Sequence, residues 1–254
     1  VSKSVAAIIC AAGASSRFGG SAGLTAGGKR KKPFVDVAGR AAFLRSVELF
    51  AEREDVKQIL LAIAKDDEEL VKIKWGANLS FHGVKVCFGG AERFETVAKA
   101  LELVNPDIEL VAVHDAVRCC LAKEWLDEVI GAAEKTGAAI LACPVVATLK
   151  KAEEKTIAET VDRTGLYEAQ TPQVFEASLL KKAYAGIKNL DENKISDDSQ
   201  LVEALGHKVT IVPTDQSNIK ITQKSDIAIA EAILKSRPAP KKEGYIGPYY
   251  EARW

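Results

Sequence analysis

With 254 residues, 47% of them hydrophobic, the chain carries enough apolar mass for one sizeable core and reads as a single larger domain. Lys plus Arg and Asp plus Glu both number 35, which excludes the global charge excess of a nucleic-acid or anionic-membrane binder and makes any anion site a local one. The longest nearly apolar stretch, 137–149, is too short to span a bilayer and contains Pro144, so a soluble protein is expected.

The chain opens on an apolar run at 5–10, VAAIIC, and passes at once into AAGASSRFGG at 11–20. A strand that ends in small residues lets the backbone turn tightly and aim its N–H groups at a guest, and Arg17 would meet an anion there. The following GLTAGGKR places Gly23, Gly28 and Lys29 at P-loop spacing, yet Arg30 stands where a Ser or Thr is required and no strand directly precedes it. GASSRFG does not satisfy GxGxxG either, which argues against a nicotinamide or flavin site. What remains is a long glycine-rich loop ending in KRKKPF, with Lys32 before Pro33. KRKK reads either as a solvated basic turn or localisation signal, or as the far side of a loop that closes over a polyphosphate.

Beyond the loop, helix-period segments at 41–53, 66–73, 93–104 and 123–135 alternate with strand-length runs at 58–64, 84–88, 110–114 and 138–144. Alternating strands and helices predict an α/β fold, Rossmann-like, with a doubly wound and mostly parallel sheet. Ligands of such sheets bind beyond the carboxyl ends of the strands, where AAGASSR, GGAER and HDAVR all fall. In HDAVR, Asp115 and Arg118 follow an apolar strand; Asp115 reads as a helix cap or as a magnesium ligand, since Mg²⁺ is held by one or two carboxylates plus substrate phosphates. His114 reads as a packing residue or a hydrogen-bonding neighbour of the site.

Residues 145–175 break the alternation and read as a β-rich, hairpin-like arm that packs on a partner. Helical periods return at 176–187 and 199–205, followed by a strand at 209–213. Lys220 lies in a short β-prone piece between Ile219 and Ile221, so alternation turns it away from its apolar neighbours, either to solvent or into the cleft. A last helix is predicted at 225–236, after which 237–254 forms a tail with three prolines and an aromatic cluster. The five cysteines show no CxxC spacing and read as reduced structural thiols, with no zinc site indicated.

The motifs AAGASSR, KKPF, GGAERFETV, VHDAVR, PVVATLKK, VDRTGLYEAQTPQVF and NIKIT, in this order, resemble those of the 2-C-methyl-D-erythritol 4-phosphate cytidylyltransferases of non-mevalonate isoprenoid synthesis. The resemblance covers about 5–234 and implies a domain over 1–236 with its arm at 145–175. It implies that Arg17 and Lys32 hold the CTP phosphates, that Ala11, Ala12 and Gly13 approach the nucleotide, and that Gly89, Gly90 and Thr96 form the cytidine-side motif. Asp115 matches the metal-binding aspartate, with Ala116 and Arg118 beside the nucleotide, and Lys220 matches a lysine near the α-phosphate. Thr148, Arg163 and Thr171 match arm and acceptor-pocket positions, and the arm completes the site of a homodimer partner. Mg²⁺ is the implied cofactor, CTP and a sugar-alcohol phosphate the implied substrates, and the cytoplasm, or a plastid stroma after loss of a transit peptide, the implied location. Ala91, Thr96, Cys119 and Ala147 depart from the pattern, which has acidic residues at the first and last of these, Ser at the second and Pro at the third. A different sugar-alcohol phosphate such as ribitol 5-phosphate, or a non-catalytic nucleotide-binding regulator, are the alternative readings. The absence of a Ser–His or Cys–His pair fits this chemistry, because an anionic phosphate nucleophile needs positioning and charge neutralisation rather than a strong base.

Overall fold

The computed structural model describes residues 2–13, 31–187 and 195–237. The chain starts with β1 (Val5–Cys10), then β2 (Asp36–Val37), β3 (Arg40–Ala41) and α1 (Ala42–Ala51). Next come β4 (Val56–Ile63), α2 (Glu68–Phe81), β5 (Val84–Phe88), α3 (Arg93–Leu101), β6 (Leu110–Asp115), α4 (Lys123–Thr136) and β7 (Ala138–Pro144). It ends with β8 (Leu149–Glu153), β9 (Thr156–Val161), β10 (Tyr167–Glu176), α5 (Ala177–Ala185), α6 (Asp198–Glu203), β11 (Thr210–Pro213) and α7 (Ser225–Ser236).

Seven strands form one sheet in the order β11-β7-β10-β6-β1-β4-β5. All neighbours are parallel except β10, which runs antiparallel to both β6 and β7. β1 reads as a continuous apolar run because both of its faces are covered. Val5, Ala7 and Ile9 pack with α1, α2 and α4 through Phe43, Phe50, Leu79, Leu126 and Ile130, whereas Ala6 and Ile8 pack with α3, α5 and α6 through Val97, Leu180 and Leu201. A smaller apolar cluster seats Ile221 and Ala230 against Val35, Val37, Cys119 and Cys120.

These elements follow the sequence pattern closely, with three differences. α2 continues to Phe81 rather than stopping at residue 73, because Trp75 stacks on Phe34 at 5.5 Å and Leu79 is buried one turn later. Within 145–175 only β8 and β9 form a separate two-stranded hairpin; β10 enters the main sheet, where its middle and end are buried between β6 and β7. Its period-2 pattern is lost there because a strand covered on both faces needs no polar side. The Lys220 segment forms no strand among the described residues; its order comes from Ile221, which donates its N–H to the Val117 carbonyl at 3.0 Å and is fully buried.

No helix among the described residues is long and apolar enough to cross a membrane. All five cysteines are free thiols. The tail from 238 and the loop residues 14–30, Arg17 included, lie outside the described residues.

His114, near the end of β6, is fully buried and links the core to the carboxyl rim of the sheet. Its ring lies 3.1 Å from Ser46 Oγ on one side and 3.1 Å from Thr171 Oγ1 on the other, with Phe50 packed edge-on at 5.7 Å. Burial pulls its pKa from 6.5 down to about 4, so the imidazole stays neutral in the native protein. Between pH 6.5 and about 4 the unfolded chain takes up a proton that the native protein refuses, so this contribution to stability is present above the unfolded value and is lost as pH falls. Chemical denaturation between pH 7 and 5 is expected to show a loss approaching about 1.4 kcal/mol per pH unit below the histidine's ordinary value, a slope absent from His114→Asn.

Candidate active site

The chain leaves β1 towards β4 and β5 on one side and returns to β6 on the other, so the sheet reverses direction of growth at β1. A crevice for ligands opens at such a point, beyond the carboxyl ends of the strands. Ala11 and Ala12 leave β1 there, both buried, and Ala11 donates its N–H to the Ala62 carbonyl at 2.8 Å. Gly89 and Gly90 leave β5 at the same rim. A Cβ at Gly89 would lie 2.4 Å from Ala12 Cβ and 2.6 Å from Thr96 Oγ1, so only glycine lets these two loops and α3 meet. A Cβ at Gly90 would fall 2.3 Å from Glu95 Cβ.

Thr96 is buried and accepts the Gly90 N–H at 3.0 Å. The hydroxyl is thus used by the loop itself, which explains why Thr serves where a Ser is expected. Ala91 lacks a carboxylate, yet its N–H reaches Glu95 Oε2 at 2.7 Å, and Glu92 and Glu95 form a reciprocal capping box at the start of α3.

Asp115 ends β6 at the centre of the rim, and its carboxylate is almost completely buried. Arg93 Nε donates to Oδ1 at 3.0 Å and Lys220 Nζ to Oδ2 at 2.6 Å. Burial alone would push this carboxyl up, but Arg93 and then Lys220 hold it well below the usual carboxylate range. Its backbone N–H donates to Thr171 Oγ1 at 3.0 Å. Because β10 is antiparallel, its middle rather than its end reaches this rim, which puts Thr171 beside Asp115. Ala116 is fully buried in the turn and donates to the Cys10 carbonyl at 3.1 Å.

Lys220 owes its place to Asn218, a fully buried residue whose Nδ2 donates to Gln170 Oε1 at 2.8 Å and to the Thr171 carbonyl at 3.1 Å. The Asn218 carbonyl in turn accepts from Arg118 Nη1 at 2.7 Å. Arg118 therefore braces the Lys220 segment against β10. Lys32 opens the short turn Lys32–Phe34, where Pro33 and Phe34 are buried and Phe34 packs on Phe43 and Trp75. Its neighbour Lys31 pairs at 2.8 Å with the buried Asp67.

Asp115, Lys220, Arg118, Thr171 and the glycine loops thus come together at one rim. Thr148 and Arg163 do not join them within the chain: both are exposed at the base of the β8–β9 hairpin, where Arg163 Nη1 donates to the Val146 carbonyl. Gly13 and Lys31, next to Lys32, stand at the two described ends of the intervening loop. Sequence reasoning missed Arg93 as a site residue and missed Asp198, which lies 2.8 Å from Arg93 Nη1. The arginine three residues after the glycine pair and the acidic pair Asp197–Asp198 at the start of α6 were the available signals.

Magnesium chemistry fits this donor set. Among the described residues no three His, Cys, Asp or Glu side chains group to hold a metal by themselves, and a single ionised carboxylate is what Mg²⁺ uses when phosphates and water complete its shell.

Comparison with known proteins agrees with the geometry. The family IspD, 2-C-methyl-D-erythritol 4-phosphate cytidylyltransferase, matches residues 5–236. A 2-C-methyl-D-erythritol 4-phosphate cytidylyltransferase of Endomicrobium trichonymphae is 40% identical over 91% of this chain and 99% of its own length. One of Rhodopirellula baltica is 39% identical over 91% of this chain and 95% of its own. The crystal structure of 4-diphosphocytidyl-2C-methyl-D-erythritol synthase from Anaerococcus prevotii superposes with a TM-score of 0.76 at 31% identity, covering 92% of this chain and 96% of that one. With the glycine loops, Asp115 and Lys220 gathered at one rim and the match running through nearly all of the described fold, the chain belongs to the 2-C-methyl-D-erythritol 4-phosphate cytidylyltransferase family.

Proposed function

We propose that this protein joins CTP to 2-C-methyl-D-erythritol 4-phosphate, forming 4-diphosphocytidyl-2-C-methyl-D-erythritol and pyrophosphate. The observation that carries the reading is the buried Asp115 carboxylate held between Arg93 and Lys220 at the sheet's switch point, in a chain whose relatives bear that name. An oxygen of the acceptor phosphate attacks the α-phosphorus of CTP in line, a new P–O bond forms, and the bond to the β-phosphate breaks with its electrons leaving on pyrophosphate. The acceptor is already anionic, so no side chain has to remove a proton from it.

Lys220, Lys32 and Arg17 neutralise phosphate charge, Arg118 and Asn218 keep Lys220 at the rim, and Gly89 and Gly90 keep the β5 loop against Ala12. Mg²⁺, held by Asp115, would supply further neutralisation of the phosphates. Five free thiols fit a reducing compartment, the cytoplasm or a plastid stroma.

Pyrophosphate release measured over a matrix of nucleotides and sugar-alcohol phosphates tests the reaction. CTP with 2-C-methyl-D-erythritol 4-phosphate is the expected best pair; preference for ribitol 5-phosphate would reassign the acceptor, and no release with any pair would remove the catalytic reading. In the same assay Asp115→Asn and Arg17→Ala are each expected to lower turnover by on the order of 10². Magnesium activation identical in Asp115→Asn and parent would return Asp115 to a purely structural role.

The reading also includes a homodimer. A two-stranded hairpin has no core of its own, and Val146 and Ile157 on the hairpin and its root are each 62% exposed, with Leu166 and Tyr167 also open to solvent. Arg163, at the base of that hairpin, is proposed to serve the acceptor site of the partner. Mixing inactive Arg163→Ala with inactive Lys220→Ala under subunit exchange should restore part of the activity, because one site of each mixed dimer then holds both residues. No recovery would place Arg163 in its own chain's site or in none.

A further inference from the structure

The Asp115 carboxylate has two cationic partners that differ in how they are held. Lys220 is a flexible side chain, 43% exposed, tied to Asp115 by its ammonium alone. Arg93 is 27% exposed and is gripped from behind: its Nη1 lies 2.8 Å from Asp198 Oδ2 while its Nε serves Asp115 Oδ1. Asp198 is fully buried, and Tyr184 donates its hydroxyl to Asp198 Oδ1 at 2.5 Å. The backbone N–H groups of Asp198 and Ser199 both donate to Gln173 Oε1 at 3.1 Å, which fixes the start of α6 to β10. A planar guanidinium hydrogen-bonded to one carboxylate through Nε and ion-paired with a second, buried one through Nη1 is restricted in orientation, whereas an ammonium on a four-carbon stem can change partners.

We propose that Asp198, with Tyr184 behind it, is a positioning residue for the reaction: through Arg93 it fixes Oδ1 of Asp115, leaving Oδ2, whose partner is the more exposed Lys220, as the oxygen that exchanges between lysine and the magnesium–nucleotide. The proposal rests on the reading of Asp115 as the metal-binding residue. It places the control of the site in α5 and α6, which carry Tyr184 and Asp198. Burying two carboxylates around one arginine is costly for stability, and well-packed apolar residues would serve a merely structural purpose equally well. A charge whose orientation matters at Asp115 gives a reason for keeping the group.

The test compares the parent with Asp198→Asn and with Tyr184→Phe, which keeps every charge. Titration calorimetry with CTP, with and without Mg²⁺, is run beside steady-state kinetics and thermal unfolding. The expected result is that CTP affinity without Mg²⁺ stays close to that of the parent in both variants, while the tightening produced by Mg²⁺ and kcat both fall. The drop should be about 10-fold to 100-fold in Asp198→Asn and smaller in Tyr184→Phe, with KM for the acceptor little changed. Parent-like Mg²⁺ tightening and kcat together with a lower Tm would overturn the proposal, leaving the network structural. If Asp198→Asn does not fold, Tyr184→Phe decides between the same two outcomes. If the parent itself shows no Mg²⁺ tightening, the metal reading of Asp115 fails separately, and normal kcat in both variants would then overturn the positioning role as well.

Discussion

A carboxylate buried at the end of a central strand is the constraint around which this protein is arranged. Asp115 is expensive to bury as an anion unless cations come to it, and the cations come from distant parts of the chain: Arg93 from the start of α3 and Lys220 from the segment before α7. Each then needs its own support. Arg93 takes it from Asp198, and Lys220 takes it from Asn218, Arg118 and the burial of Ile221. The start of α3 and the segment before α7, both on the carboxyl side of the sheet, are thus placed by an obligation that traces back to one pair of oxygens. The same arrangement is suited to polyphosphate, because the groups that neutralise Asp115 are those that an incoming anion attracts.

Local chemistry made much of this legible in the sequence. The run at 5–10 reads as a strand, and the structure buries it on both faces; the small residues after it read as a tightly turning loop, and its described start at Ala12 comes close to Gly89 of the β5 loop. Asp115 and Lys220 were visible because each stands at a place where the hydrophobic pattern gives way to a charged residue. Residues whose roles depend on meeting something far along the chain were harder to see. Arg93 reads as an ordinary first-turn residue of a helix, and Asp198 as one acid in a polar stretch, until the sheet brings α3 and α6 together. β10 was concealed for a related reason. It follows a hairpin that is exposed along nearly its whole length, and nothing in its own residues says that it turns back into the sheet.

The departures at Ala91 and Thr96 show how a motif can change without its geometry being lost. Glu95, the third residue of α3, reaches back to the Ala91 N–H, and the Thr96 hydroxyl keeps the bond to Gly90. The loop backbone is thus held by side chains that sit on the helix and not in the loop, so its shape is less sensitive to loop sequence than a motif comparison suggests.

The antiparallel strand β10 has a further consequence, for the order in which the fold can be assembled. It is the sole link in the sheet between the β11–β7 pair and the four strands β6, β1, β4 and β5, yet it follows all of those except β11 in the sequence. As the chain emerges during synthesis, β6 and β7 both present open, apolar edges that cannot satisfy each other in the final arrangement, and they stay open until residues 167–176 arrive. Unpaired edges of this kind are where misassociation starts. The interval between completion of β7 and arrival of β10 is filled by the charged β8–β9 hairpin, whose lysines and glutamates keep that stretch of nascent chain in water until the sheet can close.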